Sequence, residues 1–560
     1  MIPVAAMAWW RAPAMMGGKS TGISIPTMAT WTTSAVVLDV KGEIRETMWR
    51  YRAEMLGHTV YWICPTPPVK RSLAPKGDRS HIDTFSFDIL AFISEDPRMV
   101  LSDCTEAAKF LCVENPKMEN FFNDIGQRCI LGVLAYLMRR WISHGRAKGL
   151  PRPTMMELCD FLLGNGNDVR ARFTAAVAEV IADARDMTLG EADRDLAGGI
   201  AKSLGEFTGE AEGEDEVFKK TTSTINKALA WMADPGLARI VSGRTPYSFE
   251  AKEILNNKTD VFINFSTTEA ESKSQALQAI VGALATVLVK AGDKNEAHEA
   301  GGVLFLLDEG NRLGRLSCIH DTGLETLRSF GGRIYYVAQT IKGMEKAVGD
   351  TYFDSWFANA HVTTFFSIGD DVTAKRLSEM LGKQTIDAQS YNGGQGGDSG
   401  VLGHAKDDGQ STSVKGRDLM TADEILRMKG WLQFVRIKGQ PMLLCGKSPY
   451  YLRPEFRSRA EAPNTADPVQ PSPEDFAAYD AGLVAAAKLI AEPVIEDMMH
   501  SAYNAAMDAV REVIAAHPHF GQPLAPGLLW DERVADGLAG IPQDELDAAI
   551  LELQEADALR

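Results

Sequence analysis

The chain has 560 residues, 45% hydrophobic and 24% charged, which are ordinary proportions for a soluble globular protein with room for two to four domains. Its net charge of −17 is concentrated at one end, because 19 of the 75 acidic residues but only 4 of the 58 basic ones lie beyond Ala460. That excludes the C-terminal end as a nucleic-acid-wrapping arm and marks it as a solvated or basic-partner-binding appendage.

In chain order, the stretch APAMMGGKSTGISIPTM (Ala12–Met28) is a glycine-rich turn leading into a helix. SAVVLDV (Ser34–Val40) and HTVYWI (His58–Ile63) follow as buried strands with a helix between them. From Phe87 to Pro235 the strand signals stop. Apolar residues recur there at helical spacing in Asp124–Ile142 and in the stretches 153–163, 168–206 and 215–233, as expected of an inserted all-helical domain. Strands return with TDVFINF (Thr259–Phe265), GVLFLLDE (Gly302–Glu309), RIYYVA (Arg333–Ala338) and HVTTFFSI (His361–Ile368). Their alternation with helical patterns is the βαβ signature of a parallel sheet. Gln389–Ser413, rich in Gly, Ser and Asp, reads as a mobile surface loop, and the strands WLQFVRI and QPMLLC after it are expected to finish the sheet. A proline-rich linker (Glu461–Asp475) precedes Ala-rich helices at Phe476–Ala516 and about Gln543–Ala558.

The seven cysteines are scattered without a CxxC pair, which fits reduced thiols in a cytoplasmic protein rather than a disulfide framework or a zinc site. No window reaches 18 apolar residues without a charge, so no membrane-spanning segment is expected in this chain.

Two stretches carry chemistry. A phosphate-binding loop needs backbone N–H groups curling round an anion at a helix start, a lysine for the outer phosphates and a hydroxyl for magnesium. Gly17, Gly18, Lys19, Ser20 and Thr21 supply these, although Pro13 stands where the first glycine of the G-x-x-x-x-G-K-[ST] pattern belongs. Proline fixes φ and lacks an N–H, which alters the entry turn but leaves the later donors. The strand VLFLLDE ends in Asp308 and Glu309, the first suited to hold magnesium through water and the second to orient and deprotonate an attacking water. Lys19 and Asp308 are 289 positions apart, more than a compact phosphate-loop core needs, so a domain must be inserted between them. RSFGGRIYYVAQ adds Arg328 before a strand and Gln339 at its end. The glutamine can sense the γ-phosphate. The arginine is either a solvated helix-end cation or a group reaching a neighbouring subunit's nucleotide. DVKGE (Asp39, Lys41, Glu43) reads as a strand end that caps a helix, with no chemistry assigned.

GISIPTMATWTTSAVVLDVKGE, KTDVFINF, LFLLDEGNRLGRL, RIYYVAQT, AKRLSEMLGKQTI and RDLMTADEILRM occur in this order. Over Ala12–Arg459 the chain resembles the TraG/TraD-like coupling proteins of type IV secretion and bacterial conjugation. The resemblance implies an α/β fold, a RecA-like P-loop NTPase with a mostly parallel sheet, an inserted all-α domain and a helical C-terminal extension. The expected division is 1–86 and 236–460 for the nucleotide-binding domain, 87–235 for the insertion and 461–560 for the linker and acidic tail. It implies ATP and Mg2+ as cofactors. Lys19 and Ser20 then match the Walker A positions, Asp308 and Glu309 the Walker B pair, Arg328 the arginine finger and Gln339 the sensor. It also implies a homo-hexamer at the cytoplasmic face of the bacterial inner membrane, working with type IV secretion channel components on relaxase-bound single-stranded DNA or protein effectors. An adaptor on the acidic tail would be a further partner. The family's N-terminal transmembrane pair is not found ahead of the phosphate loop, as an N-terminally truncated chain would show. Pro13 keeps open a nucleotide-dead substrate receptor, and the shared core keeps open a double-stranded DNA translocase, though no basic helix–turn–helix pattern accompanies it.

Overall fold

The computed structural model describes residues 18–460 apart from segments 66–83, 114–120, 210–211, 266–272, 293–294, 321–322 and 392–409 and single residues 165, 246, 431, 448 and 458. The linker and acidic tail, Gly17 and Pro13 therefore lie outside the described residues.

A helical turn at Ser20–Ser24 runs into α1 (Ile25–Thr30), then β1 (Ala35–Leu38), α2 (Glu43–Arg50) and β2 (Thr59–Ile63). The helical block follows as α3 (Pro97–Leu111), α4 (Phe121–Arg140), α5 (Met155–Leu162), α6 (Gly166–Arg185), α7 (Glu191–Gly205) and α8 (Glu212–Leu229). Its boundaries follow local chemistry. Asp96 caps α3 with Pro97 in its first turn, and Thr154 and Glu157 form a reciprocal capping box on α5. The stretch 168–206, read as one helical run, is two helices broken at Asp186–Gly190, where Asp186 accepts from the Thr188 amide and hydroxyl.

Beyond the block come β3 (Thr259–Ile263), a long helix at Ser274–Ala291, β4 (Val303–Leu307), β5 (Gly332–Tyr336) and β6 (Val362–Phe366). Five strands form one parallel sheet in the order β2-β3-β1-β4-β5. β1, β3 and β4 are buried at every position, which is why they read as unbroken apolar runs rather than alternating ones. Register holds the strand ends level: Ile63 pairs with Ile263, Ile263 with Leu38, Leu38 with Leu307 and Leu307 with Tyr336.

Two expectations need correcting. β9 (Leu432–Ile437) and β10 (Leu443–Gly446) do not extend this sheet but pair antiparallel in a separate one, β10-β9-β6, which takes β6 with them. The ends of the expected loop 389–413 are strand: β7 (Lys383–Tyr391) and β8 (Gln410–Asp418) pair along their whole length as a two-stranded ribbon. Strand pairing satisfies backbone groups without any apolar period, so composition did not reveal it.

The helix Ser274–Ala291 is long and apolar enough to cross a membrane by length and composition, but it is largely buried in the protein core. α3 packs on it where a Cβ on Gly282 would lie 2.5 Å from Phe110 Cβ, so the close crossing requires glycine. The main core runs unbroken from the sheet into the helical block. A smaller core around Met344, Phe353, Leu377 and Phe434 packs beneath β6 and β9, and Tyr336 packs against both. At the start of β3 the fully buried Arg52 makes a two-pronged ion pair with Asp260, 2.7 Å on each side, and also donates to the carbonyls of Trp31 and Thr33. His58 joins them, with Nδ1 3.1 Å from Asp260 Oδ2. No disulfide joins the seven cysteines, five of which are buried.

Candidate nucleotide site

Residues immediately beyond the level strand ends form a row: Cys64, Asn264, Asp39, Asp308 and Val337. In open α/β sheets, ligands bind outside the carboxyl ends of parallel strands, so this row is the floor of the candidate site. Asn264 Nδ2 donates to the Asp39 carbonyl at 2.7 Å, and the Asp308 amide to the Leu38 carbonyl at 3.1 Å.

Gly18 has φ +71°, a left-handed turn that a side chain would strain, and its carbonyl accepts from the Gly22 amide at 2.8 Å as the helix begins. Lys19 and Ser20 follow directly, with Ser20 nearly buried and Thr21 half-buried. Lys19 Nζ donates to the Ala338 carbonyl at 3.0 Å, which brings the loop to the segment after β5. Burial lowers the Lys19 pKa, while Asp308 and Glu309 pull the other way. Burial, then Glu309, pushes Asp308 up to about 6 against the opposing pull of Lys19 and Lys41.

Glu309 adopts φ +55°, a left-handed conformation that costs a residue with a side chain about 1–2 kcal/mol. Gln339 Nε2 lies 3.4 Å from its Oε1, and Arg312 Nε 3.3 Å from its Oε2. Lys19, Ser20, Asp308, Glu309 and Gln339 are thus drawn to one place from three distant parts of the chain. Arg328 is not among them. It is exposed near the end of the helix Gly323–Ser329, ahead of β5, so the whole length of that strand separates it from Gln339.

Sequence reasoning missed one functional feature of the floor. The N-cap of α2 is Gly42, which makes no side-chain cap bond, and Asp39 accepts through Oδ2 from the first-turn Arg45 amide at 2.8 Å. It also stands next to Asp308, fully buried, and its Oδ1 has no hydrogen-bond partner. The signal was the DVKGE stretch, whose strand end carries an acid in the same register as Asp308.

A magnesium–nucleotide pair fits these residues. Two acids crowd the floor with burial opposing their ionisation, the hydroxyl of Ser20 stands at the start of the helical turn, and an ammonium lies within electrostatic range of Asp308 and Glu309.

Residues 12–472 match the family described as Type IV secretory system Conjugative DNA transfer. The chain belongs to this family. Among individual members of it, the chain is 23% identical to the conjugal transfer protein TraG of Rhizobium radiobacter over 441 residues, 79% of this chain and 61% of that protein. It is 24% identical to the protein VirD4 of Agrobacterium fabrum over 435 residues, 78% of this chain and 57% of that one. The chain therefore spans about three-fifths of the length of these relatives. The unbound conjugative coupling protein TrwBdeltaN70 shares the fold with a TM-score of 0.52 at 13% identity, covering 78% of this chain and 85% of that one. TrwB in complex with ADP and Mg2+ aligns with a TM-score of 0.51 at 13% identity, covering 77% and 82%. The α/β reading with a mostly parallel sheet accords with these neighbours, which share the fold.

Proposed function

We propose that this chain is an ATP-driven coupling protein that recruits a macromolecular substrate to a type IV secretion channel and helps pass it through during conjugation. The observation that carries the reading is the convergence of Lys19, Asp308, Glu309 and Gln339 over the ends of β1, β4 and β5. Family membership and the fold shared with a protein that binds ADP and Mg2+ support it.

In this reading the N–H groups of Gly17, Gly18, Lys19, Ser20 and Thr21 cradle the phosphates, and the Lys19 ammonium holds their outer charge. Ser20 and Asp308 hold magnesium, which supplies positive charge to the phosphate oxygens. Glu309, fixed by its backbone turn and by Gln339, orients the attacking water and takes its proton. Arg328, remote from its own chain's site, serves the site of the next subunit in a homo-hexamer. The cargo is relaxase-bound single-stranded DNA or protein effectors, delivered to channel components at the cytoplasmic face of the inner membrane. The acidic tail is the docking place for an adaptor, and 87–235 act as one inserted helical unit.

Magnesium-dependent ATP hydrolysis, measured with and without single-stranded DNA beside Lys19→Ala, tests this. Turnover that rises with DNA and vanishes in the variant supports it. Absence of both turnover and nucleotide binding in the wild type refutes it in favour of a receptor.

A further inference from the structure

The Asp39 carboxylate is fully buried, yet among the described residues no lysine, arginine or histidine side chain forms an ion pair with it. Accepting from the Arg45 amide does not require an acid, because the amide oxygen of an asparagine is the same kind of acceptor at the same reach. That bond uses only Oδ2, leaving Oδ1 buried without a partner. Leaving a buried polar atom unpaired is costly, and burying an uncompensated charge costs more.

Its neighbour explains the choice of residue. Asp39 and Asp308 each follow a paired leucine, Leu38 opposite Leu307, so the two acids sit side by side on adjacent strands. Paired strands lie about 4.8 Å apart. Two adjacent carboxylates with too little positive charge between them are suited to a hydrated dication, which needs acceptors for its bound waters as well as direct ligands.

We infer that Asp39 is a third acidic group of the nucleotide site, a positioning residue whose free Oδ1 accepts a hydrogen bond from the hydration shell of the metal beside Asp308. The inference rests on the ATP–magnesium reading above. Asp39 has two tasks: Oδ2 fixes the start of α2, and Oδ1 orients metal-bound water.

Asp39→Asn separates the two tasks, because its amide oxygen still accepts from the Arg45 amide while the charge and the second acceptor are lost. The protein is loaded with a non-hydrolysable ATP analogue and titrated with Mn2+, and free metal is followed by electron paramagnetic resonance. Binding of the fluorescent nucleotide in EDTA is measured in parallel. Asp39→Asn is expected to match the wild type in metal-free nucleotide binding and in melting, and to bind Mn2+ about 10-fold more weakly. Mn2+ affinity within 2-fold of a metal-dependent wild type would overturn the inference alone. A wild type that binds nucleotide without metal dependence overturns the parent reading and this one together. Asp39→Ser, which removes the charge and keeps a small polar side chain, gives the same comparison should the asparagine variant fail to fold.

Discussion

Gln339 Nε2 stands 3.4 Å from Glu309 Oε1, so the residue at the end of β5 steadies the carboxylate at the end of β4. Glu309 also holds a left-handed backbone, so its direction is set by both the main chain and a side-chain partner. Gln339→Ala should leave nucleotide affinity near the wild-type value and lower the turnover number by 10- to 100-fold, the scale of a lost positioning contact. Equilibrium nucleotide binding measured beside steady-state hydrolysis checks this. A parallel loss of affinity would place Gln339 in ground-state binding instead.

Arg328 and the floor of its own site lie at opposite ends of β5. Arg328→Ala subunits should therefore bind nucleotide normally and turn over poorly as a pure assembly. Mixing them with Glu309→Gln subunits should restore activity, because some interfaces then pair an intact arginine with an intact glutamate. Mixtures no more active than either parent would show that the arginine does not act in trans.

The buried Arg52–Asp260 pair ties α1 and β1 to β3, with both side chains fully excluded from solvent. Removing one partner strands the other charge, so Arg52→Met is expected to cost about 3–5 kcal/mol. Asp260→Asn together with Arg52→Met should recover part of that loss. Denaturant unfolding of both variants decides the point, and equal stability of the single and double variants would refute the account.

Burial, with Arg315 adding to it, lowers His320 to about 4, against 6.5 for the free side chain. The unfolded chain therefore takes up a proton below about pH 6.5 that the folded chain refuses until about pH 4. Stability falls as pH drops through that window, by about 3 kcal/mol from this residue. Asp39 and Asp308, both raised, contribute in the opposite sense. The comparison must therefore be between wild type and His320→Gln: the variant should lose less melting temperature between pH 7 and pH 4.5. Parallel curves would show that His320 is protonated equally in both states.

What could be read before the structure was local. The apolar runs AVVL, TVYWI, TDVFI and VLFLL predicted strands that form, because strands covered on both faces are apolar throughout. Lys19, Asp308, Glu309 and Gln339 were singled out from residue type and the patterns around them, and the fold brings them together. Partners were not recognisable: nothing in HVTTFFSI says that β6 pairs antiparallel with β9 rather than joining the parallel sheet. Asp260, an acid inside an apolar strand, was a visible anomaly whose explanation, Arg52, lies 208 residues away. DVKGE was read only as a strand end that caps a helix, and the unpartnered oxygen of Asp39 becomes meaningful only with Asp308 on the adjoining strand.

The strand order has a consequence for biogenesis. β1 and β2 are consecutive in the chain yet are not bonded to each other, since β3 lies between them and is β2's only partner among the described strands. Synthesis must therefore continue through the whole helical block, about 200 residues, before either can pair with β3. At about 5–20 residues per second this takes on the order of 10–40 s. Throughout that interval two short apolar segments must wait for the strand that lies between them.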